Sequence, residues 1–289
     1  MEIRTLKYFL ETAREENMTR ASERLHVSQS TMSKQIKELE SELGTKLFQR
    51  SNYSIKLTDA GMLLRERAEN ILELVDKTIS DFHALDDLNS GDIFIGAAES
   101  DSIEYFARVV KNLRNDYPKI KCHMFSGDMD DVTERLDRGL LDFAIVMSFV
   151  DLNKYNFLKF PASDIWGVYM LKNDPLAEKN SFNVQDLLNL PLICSRQWID
   201  QDLPRWFDDV SKVNIVATYN LSFNAFKMVR AGIGYAVTYD KLTADSDLIF
   251  RRIESVPKSE MYIIWRKKQI FTPIAKLLLN YMKDEFSKS

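Results

Sequence analysis

The chain has 289 residues, more than one typical domain, so two or three domains with sizeable cores are expected. Its 45% hydrophobic and 28% charged residues are the composition of an ordinary soluble globular protein. A net charge of -4 argues against indiscriminate polyanion binding, and no apolar run approaches membrane-spanning length. The first residues, MEIRTLKYFLE, lack a signal peptide's uninterrupted apolar core, so a cytoplasmic protein without a membrane partner is expected. In chain order, Leu6, Phe9, Leu10 and Ala13 mark a first helix by spacings of three and four. Ala21 and Leu25 share one face of a second, which His26 and Val27 interrupt. Ser28 then caps a third, with Met32, Ile36, Leu39 and Leu43 along its back and Gly44 as its stop. Its front carries Gln29, Ser30, Ser33, Lys34 and Lys37. A helix-turn-helix needs such donors and short hydroxyls, because its second helix touches base edges and phosphates in the major groove. By period alone, an ordinary packed helix pair with a solvated face competes with that reading.

The residues after the third helix separate the two. Leu47-Phe48-Gln49-Arg50, a turn-like Ser51-Asn52 and Ile55-Lys56-Leu57-Thr58 read as two short strands around a tight turn, a small wing. At this point the chain closely resembles the LysR-type transcriptional regulators. The resemblance rests on Phe9, Thr19-Arg20-Ala21-Ser22, Leu25-His26-Val27-Ser28-Gln29-Ser30, Ser33, Gln35-Ile36 and Leu39-Glu40. It continues through Leu43-Gly44, Leu47-Phe48, Arg50 and Leu57-Thr58-Asp59-Ala60-Gly61. It implies a mainly α, winged helix-turn-helix domain over residues 1–58 that binds double-stranded promoter DNA, with RNA polymerase a further candidate partner. On the groove-facing helix, Gln29, Ser33 and Lys34 are the candidates for base contacts, with Ser30 and Thr31 beside them and Lys37 and Arg50 on phosphates. The wing departs from the family in holding Tyr53 and Ser54 where Arg or Lys is usual. That leaves Arg50 and Lys56 as its bases, with the Tyr53 hydroxyl as a candidate contact. Glu38, Glu40 and Glu42 are acids lying beyond the part expected to enter the groove.

After the wing, Thr58 or Asp59 caps a long helix over 59–89. Leu64, Ala68, Ile71, Leu72, Val75, Ile79, Phe82 and Leu85 form a nearly heptad stripe, and a domain this small has nothing obvious to bury it. Packing against its own chain is one reading. A partner helix is the other, which the resemblance favours: a linker helix that dimerises through Leu64, Ala68, Ile71, Leu72, Val75 and Ile79, in a homodimer or a homotetramer.

Asn89-Ser90-Gly91 marks a junction, and the pattern then changes to alternating strands and helices. Strands are expected at Asp92–Ala97, Ile120–Phe125, Leu141–Met147, Asp164–Leu171, Leu190–Cys194, Tyr235–Thr238 and Met261–Trp265. Helices fall at Ser102–Tyr117, Met129–Leu136, Trp198–Asp209, Leu221–Ala231 and Ile274–Phe286. This is an α/β architecture of two similar halves. Ser90-Gly91-Asp92-Ile93, Arg138-Gly139-Leu140-Leu141-Asp142, Asp174-Pro175-Leu176-Ala177, Leu190-Pro191-Leu192-Ile193 and Val229-Arg230-Ala231-Gly232-Ile233-Gly234 resemble the family's effector domain. The resemblance implies a periplasmic-binding-protein-like pair of subdomains over 90–289, one about 90–161 and 267–289, the other about 162–266. The chain would cross near Phe160-Pro161 and return near Arg266-Lys267. A Pro frequent in the family after Thr238 is here Tyr239.

In open α/β sheets ligands sit beyond the carboxyl ends of strands. Those ends carry Ser100, Asp101 and Ser102, then Ser126 and Gly127, Ser148 and Phe149, and Ser195 and Arg196, with Asn220 beside them. The resemblance to the family implies that these loops face the cleft between the subdomains and contact a small-molecule effector. Helix-terminal N–H groups, hydroxyls and Arg196 suit an anion, while Glu99 and Asp101 oppose one, leaving cationic, zwitterionic and neutral ligands open. No cofactor, catalytic residue or metal site is expected. His26, His83 and His123 form no cluster with cysteines, and no nucleophile–base pair or phosphate-cradling loop stands out. Cys122 and Cys194 lie in apolar strands and read as buried, inert thiols, with a redox switch as the lesser alternative. An α/β enzyme and a protein-contact adaptor are the alternative classes, which direct, salt-dependent DNA binding would separate.

Overall fold

The computed structural model describes residues 1–50, 55–86, 90–147 and 150–287, with the backbone alone of Arg50 and Asp86. Contacts divide the chain into two units, Met1–Ser80 and Asp81–Ser289, each taken by itself below.

The first unit holds α1 (Ile3–Glu15), α2 (Met18–Arg24), α3 (Gln29–Leu43), the antiparallel strands β1 (Phe48–Arg50) and β2 (Ile55–Leu57), and most of α4 (Asp59–Asp86). Leu6, Phe9, Met32, Ile36, Leu39 and Leu47 are fully buried together, and the Phe9 and Phe48 rings lie 5.3 Å apart. Local chemistry sets the helix ends. The Asn17 side chain accepts the N–H groups of Thr19 and Arg20, Ser28 Oγ accepts that of Thr31 at 3.2 Å, and Gly44 ends α3 at φ 67°. His26 takes the left-handed conformation at φ 53°, the bend that redirects the chain between α2 and α3. Thr58 Oγ1 caps α4 by accepting the Gly61 N–H at 3.0 Å and donates to the Lys46 carbonyl at 2.6 Å. A Cβ on Gly61 would meet the Leu47 carbonyl oxygen at 2.1 Å, so this approach of helix to wing requires glycine.

The α4 stripe is not left bare along its length. Leu64, Ala68, Ile71 and Leu72 pack on the core of the first unit, so the expectation that the small domain could not bury them is corrected. The α1–α3 core offers an apolar surface that the heptad pattern alone does not reveal. Leu74 and Ile79 in the first unit, and Phe82 and Leu85 in the second, are the large apolar side chains left exposed further along the helix, with Val75 half-buried.

The second unit contains two sheets. The first has the order β4 (Lys119–Ser126), β3 (Ser90–Ala97), β5 (Phe143–Met147), β13 (Ser259–Arg266), β6 (Tyr155–Asp164). The second has the order β10 (Ile215–Tyr219), β9 (Leu192–Ser195), β11 (Tyr235–Tyr239), β7 (Trp166–Leu171), β12 (Leu248–Ile253), β8 (Ser181–Phe182). The helices α5 (Ile103–Asp116), α6 (Met129–Asp137) and α9 (Pro273–Phe286) accompany the first sheet, and α7 (Leu203–Trp206) and α8 (Ser222–Arg230) the second. β5 is buried at every position, as a strand covered on both faces should be.

The crossings between sheets differ from the sequence expectation. β6 continues through Pro161 to Asp164 before the chain passes at Ile165 into β7. The return lies at 254–258 rather than at Arg266-Lys267, because β13 pairs with β5 and β6 of the first sheet. An apolar strand satisfies either sheet by its pattern, so only pairing decides. No helix among the described residues is long and apolar enough to cross a membrane.

Candidate DNA-reading face and effector crevice

The front of α3 presents Gln29, Ser30, Thr31, Lys34 and Lys37 exposed and Ser33 half-buried. The back is fixed by Met32, Ile36 and Leu39. The N-terminal hydroxyls are already organised, since Ser28 Oγ lies 3.0 Å from Ser30 Oγ and 2.7 Å from Thr31 Oγ1. Lys34 Nζ sits 3.8 Å from Glu38 Oε1, both exposed, a pair too weak to tie the lysine down. Arg20 and Arg24 instead engage Glu15 and Glu11, and Arg14 joins them. Much of the first unit's basic surplus is therefore spent locally, which leaves Lys34 and Lys37 as exposed bases on the front, with Lys56 exposed on β2. Arg50 lies on β1, and its side chain, like Tyr53, falls outside the described residues.

Glu40 is not part of an acidic surface. It is 3% exposed, and its carboxylate accepts the Leu47 N–H at 3.0 Å, the Phe48 N–H at 3.4 Å and Lys46 Nζ at 2.9 Å. Burial opposes its charge, but these donors prevail and hold it below the usual carboxylate range. The effect is to hang the wing from α3.

In the second unit, loops from both sheets meet in a crevice. Its walls include Glu99, Gly127, Asp128, Trp166, Ser195, Arg196, Gln197, Asn220, Ser222, Thr238 and Tyr239. Its cavity measures about 50 Å³, room for a few water molecules. One contact clasps it. The Glu99 carboxylate accepts the Ser222 N–H at the start of α8, where the N-cap residue, Leu221, has no side chain able to cap. Lys241 Nζ lies 3.2 Å from Asp101 Oδ2.

Of the residues expected to face an effector, Gly127, Ser195, Arg196 and Asn220 line this crevice. Ser100, Ser102 and Ser126 do not. Ser100 Oγ donates to Met261 Sδ and accepts the Ser102 N–H, while Ser102 Oγ is buried on Asp164 Oδ1 at 2.9 Å. These hydroxyls serve the turn into α5, and Ser126 is exposed at the end of β4. Asp101 is not in the lining either; its carboxylate pairs with Lys241. Ser148 and Phe149 lie outside the described residues. Sequence reasoning misses Asp128, Trp166, Ser222 and Thr238 as lining residues. The first of these has a signal, as an Asp three residues before an accepted N–H at Asp131, the N-cap of α6. Tyr239, which stands where the family often has Pro, closes one wall, its ring 4.1 Å from Trp166 and its hydroxyl 3.2 Å from Ser259 Oγ.

Likeness to known proteins bears on both sites. Residues 3–62 match the bacterial regulatory helix-turn-helix protein profile of the lysR family, and residues 86–287 match the LysR substrate binding domain. The chain belongs to the LysR family. It is thus a DNA-binding transcriptional regulator with an effector-binding domain, and the enzyme and adaptor readings fall away. This LysR-family chain is 28% identical to YfeR, an uncharacterized HTH-type transcriptional regulator of Shigella flexneri, over 294 residues, covering 98% of this chain and 94% of that one. The HTH-type transcriptional regulator YtlI of Bacillus subtilis is 32% identical over 187 residues, 65% of this chain and 60% of its own. Full-length CbnR, solved in complex with target DNA, matches with a TM-score of 0.78 at 21% identity, covering 99% of this chain and 100% of that one. That likeness is one of fold.

His123 and the two cysteines of the α/β unit have structural explanations. His123 stacks on Phe94 at 4.9 Å and meets Asp92 at 2.8 Å. Both cysteines are free thiols; burial pushes Cys122 up to about 11 and Cys194 higher still, so neither is a ready thiolate.

Proposed function

We propose that this regulator reads an inverted-repeat promoter site as a dimer or a dimer of dimers, and responds to a small polar molecule taken into the crevice. In this reading residues 1–58 recognise DNA, 59–89 carry the pairing helix and 90–289 bind the effector. The observation that carries it is the clasped crevice, where loops from two sheets converge on helix starts, hydroxyls and Arg196. A cavity of about 50 Å³ is smaller than a metabolite, so in this reading the Glu99–Ser222 contact parts as the effector enters. An effector thereby gains a lever on the angle between the sheets, and such couplings are typically worth about 1–3 kcal/mol. Pairing is supported by Leu74, Ile79, Phe82 and Leu85, large apolar side chains exposed at 43%, 50%, 66% and 54%. Leu64, Ala68, Ile71 and Leu72, already packed within the chain, contribute to pairing only indirectly.

The experiment selects genomic fragments bound by the full chain, then screens metabolites for a change in affinity for the selected fragment. Arg196→Ala and Asn220→Ala should lose the response while keeping DNA affinity. A full response in both variants would place the effector elsewhere.

A further inference from the structure

The second unit holds a larger cavity, which shares Trp166 with the crevice. It measures about 600 Å³ and lies between the segment 202–206 and the returning crossover 255–260. Trp166 and Trp206 supply its aromatic walls, their rings 5.4 Å apart and perpendicular. Asp202 also lines it. That side chain ends a turn of π-helix, Trp198–Asp202, a wide and uncommon backbone form that occurs mostly at functional sites. Asp202 is 3% exposed, and its buried Oδ2 has no hydrogen-bond partner among the described residues. Buried carboxylates are ordinarily paired or multiply hydrogen-bonded, so an orphan one beside an open volume is a group held for something else. Glu260, the other acid in the lining, is already engaged by Lys159 Nζ and the Tyr262 hydroxyl, both at 2.6 Å. Arg205 and Lys258 are exposed and line the same cavity, which puts positive charge toward solvent and the acid inside.

We propose that this cavity is a second ligand site, for a small amine-bearing acid, with its ammonium group on Asp202, its carbon frame against Trp166 and Trp206, and its carboxylate toward Arg205 and Lys258. An ammonium ion answers the unpaired carboxylate by a charge-assisted hydrogen bond, and indole faces attract cations. The basic rim discriminates against a simple amine and favours a molecule with an acid at its other end. Burial pushes Asp202 up to about 7, outweighing the nearby Arg205, and a bound cation would return it to the charged form. The site stands apart from the crevice reading and does not depend on it.

Three compounds of one length test it on the full chain: δ-aminovalerate, pentylamine and valerate, followed by titration calorimetry and tryptophan fluorescence. Binding should be tightest for δ-aminovalerate, weaker for pentylamine and weakest for valerate. Asp202→Asn keeps shape and removes charge; it should weaken δ-aminovalerate by at least about tenfold and leave it no better than valerate. Trp206→Leu should weaken all three compounds alike. Valerate binding as tightly as δ-aminovalerate, an unaltered affinity in Asp202→Asn, or no binding of any of the three would each overturn the proposal. A purely structural Asp202 would instead leave ligand preference unchanged and lower the melting temperature on conversion to Asn.

Discussion

Replacing Glu40 by alanine tests how the wing is held to α3. The carboxylate satisfies the Leu47 amide at 3.0 Å and the Phe48 amide at 3.4 Å from a position 3% exposed. Stranding a buried amide costs about 1–3 kcal/mol, and the longer bond should count for less. The Lys46 partner is exposed and adds at most about 1 kcal/mol. Glu40→Ala should therefore destabilise the first unit by roughly 2–4 kcal/mol. Hydrogen exchange read at the Leu47 and Phe48 amides should show it directly, and affinity for a selected operator should fall with it. Glu40→Gln keeps one acceptor oxygen and should lose about half as much. Because the folded carboxylate titrates below its ordinary value of 4.5, its contribution is complete above that pH and disappears as pH falls through the lower folded value. Glu40→Gln should erase that acid sensitivity. Unchanged protection of both amides in Glu40→Ala would refute the assignment.

On α4, Phe82→Asp should dissociate the oligomer in light scattering without unfolding the chain, whereas Leu72→Asp should unfold the first unit; the reverse pattern would put the seam on the packed stripe. Glu99→Gln should speed hydrogen exchange at the Ser222 amide, and an unchanged rate would remove Glu99 from the clasp. Asp202 binds its proton more tightly folded than unfolded, so it costs nothing at low pH and up to about 4 kcal/mol once pH rises from 3.8 past about 7. Asp202→Asn should accordingly stabilise the α/β unit at neutral pH and progressively less toward acid; thermal melts across that range check the sign.

Local chemistry is readable where a residue's role is decided by its neighbours in sequence. Ser28 and Gly44 cap α3 and Met32, Ile36 and Leu39 bury because capping and helical period act over a few residues. Residues whose role depends on distant partners are not readable in this way. Glu40 has the sequence setting of a surface acid, yet the amides leading into the wing close on it. Leu64 and Ala68 lack an obvious partner in sequence, and the α1–α3 core supplies one. β6 escapes the strand pattern because Pro161 breaks it, and Pro is tolerated there because β6 is the edge of its sheet. Gly127, Ser195 and Arg196 are legible from strand ends together with the family resemblance, since topology carries those loops to one place. Ser100 and Ser102 sit at an equally suitable strand end, but their hydroxyls turn inward to Met261 and Asp164.

The front of α3, as the surface that reads sequence, is the claim on which regulation by this chain most depends. Fluorescence anisotropy with a selected operator and with random duplex, at one fixed salt concentration, tests it. Gln29→Ala and Lys34→Ala should each lose about 1–3 kcal/mol on the operator and clearly less on random DNA. Equal losses on the two duplexes would mean that these side chains only position the protein, and that sequence is read elsewhere.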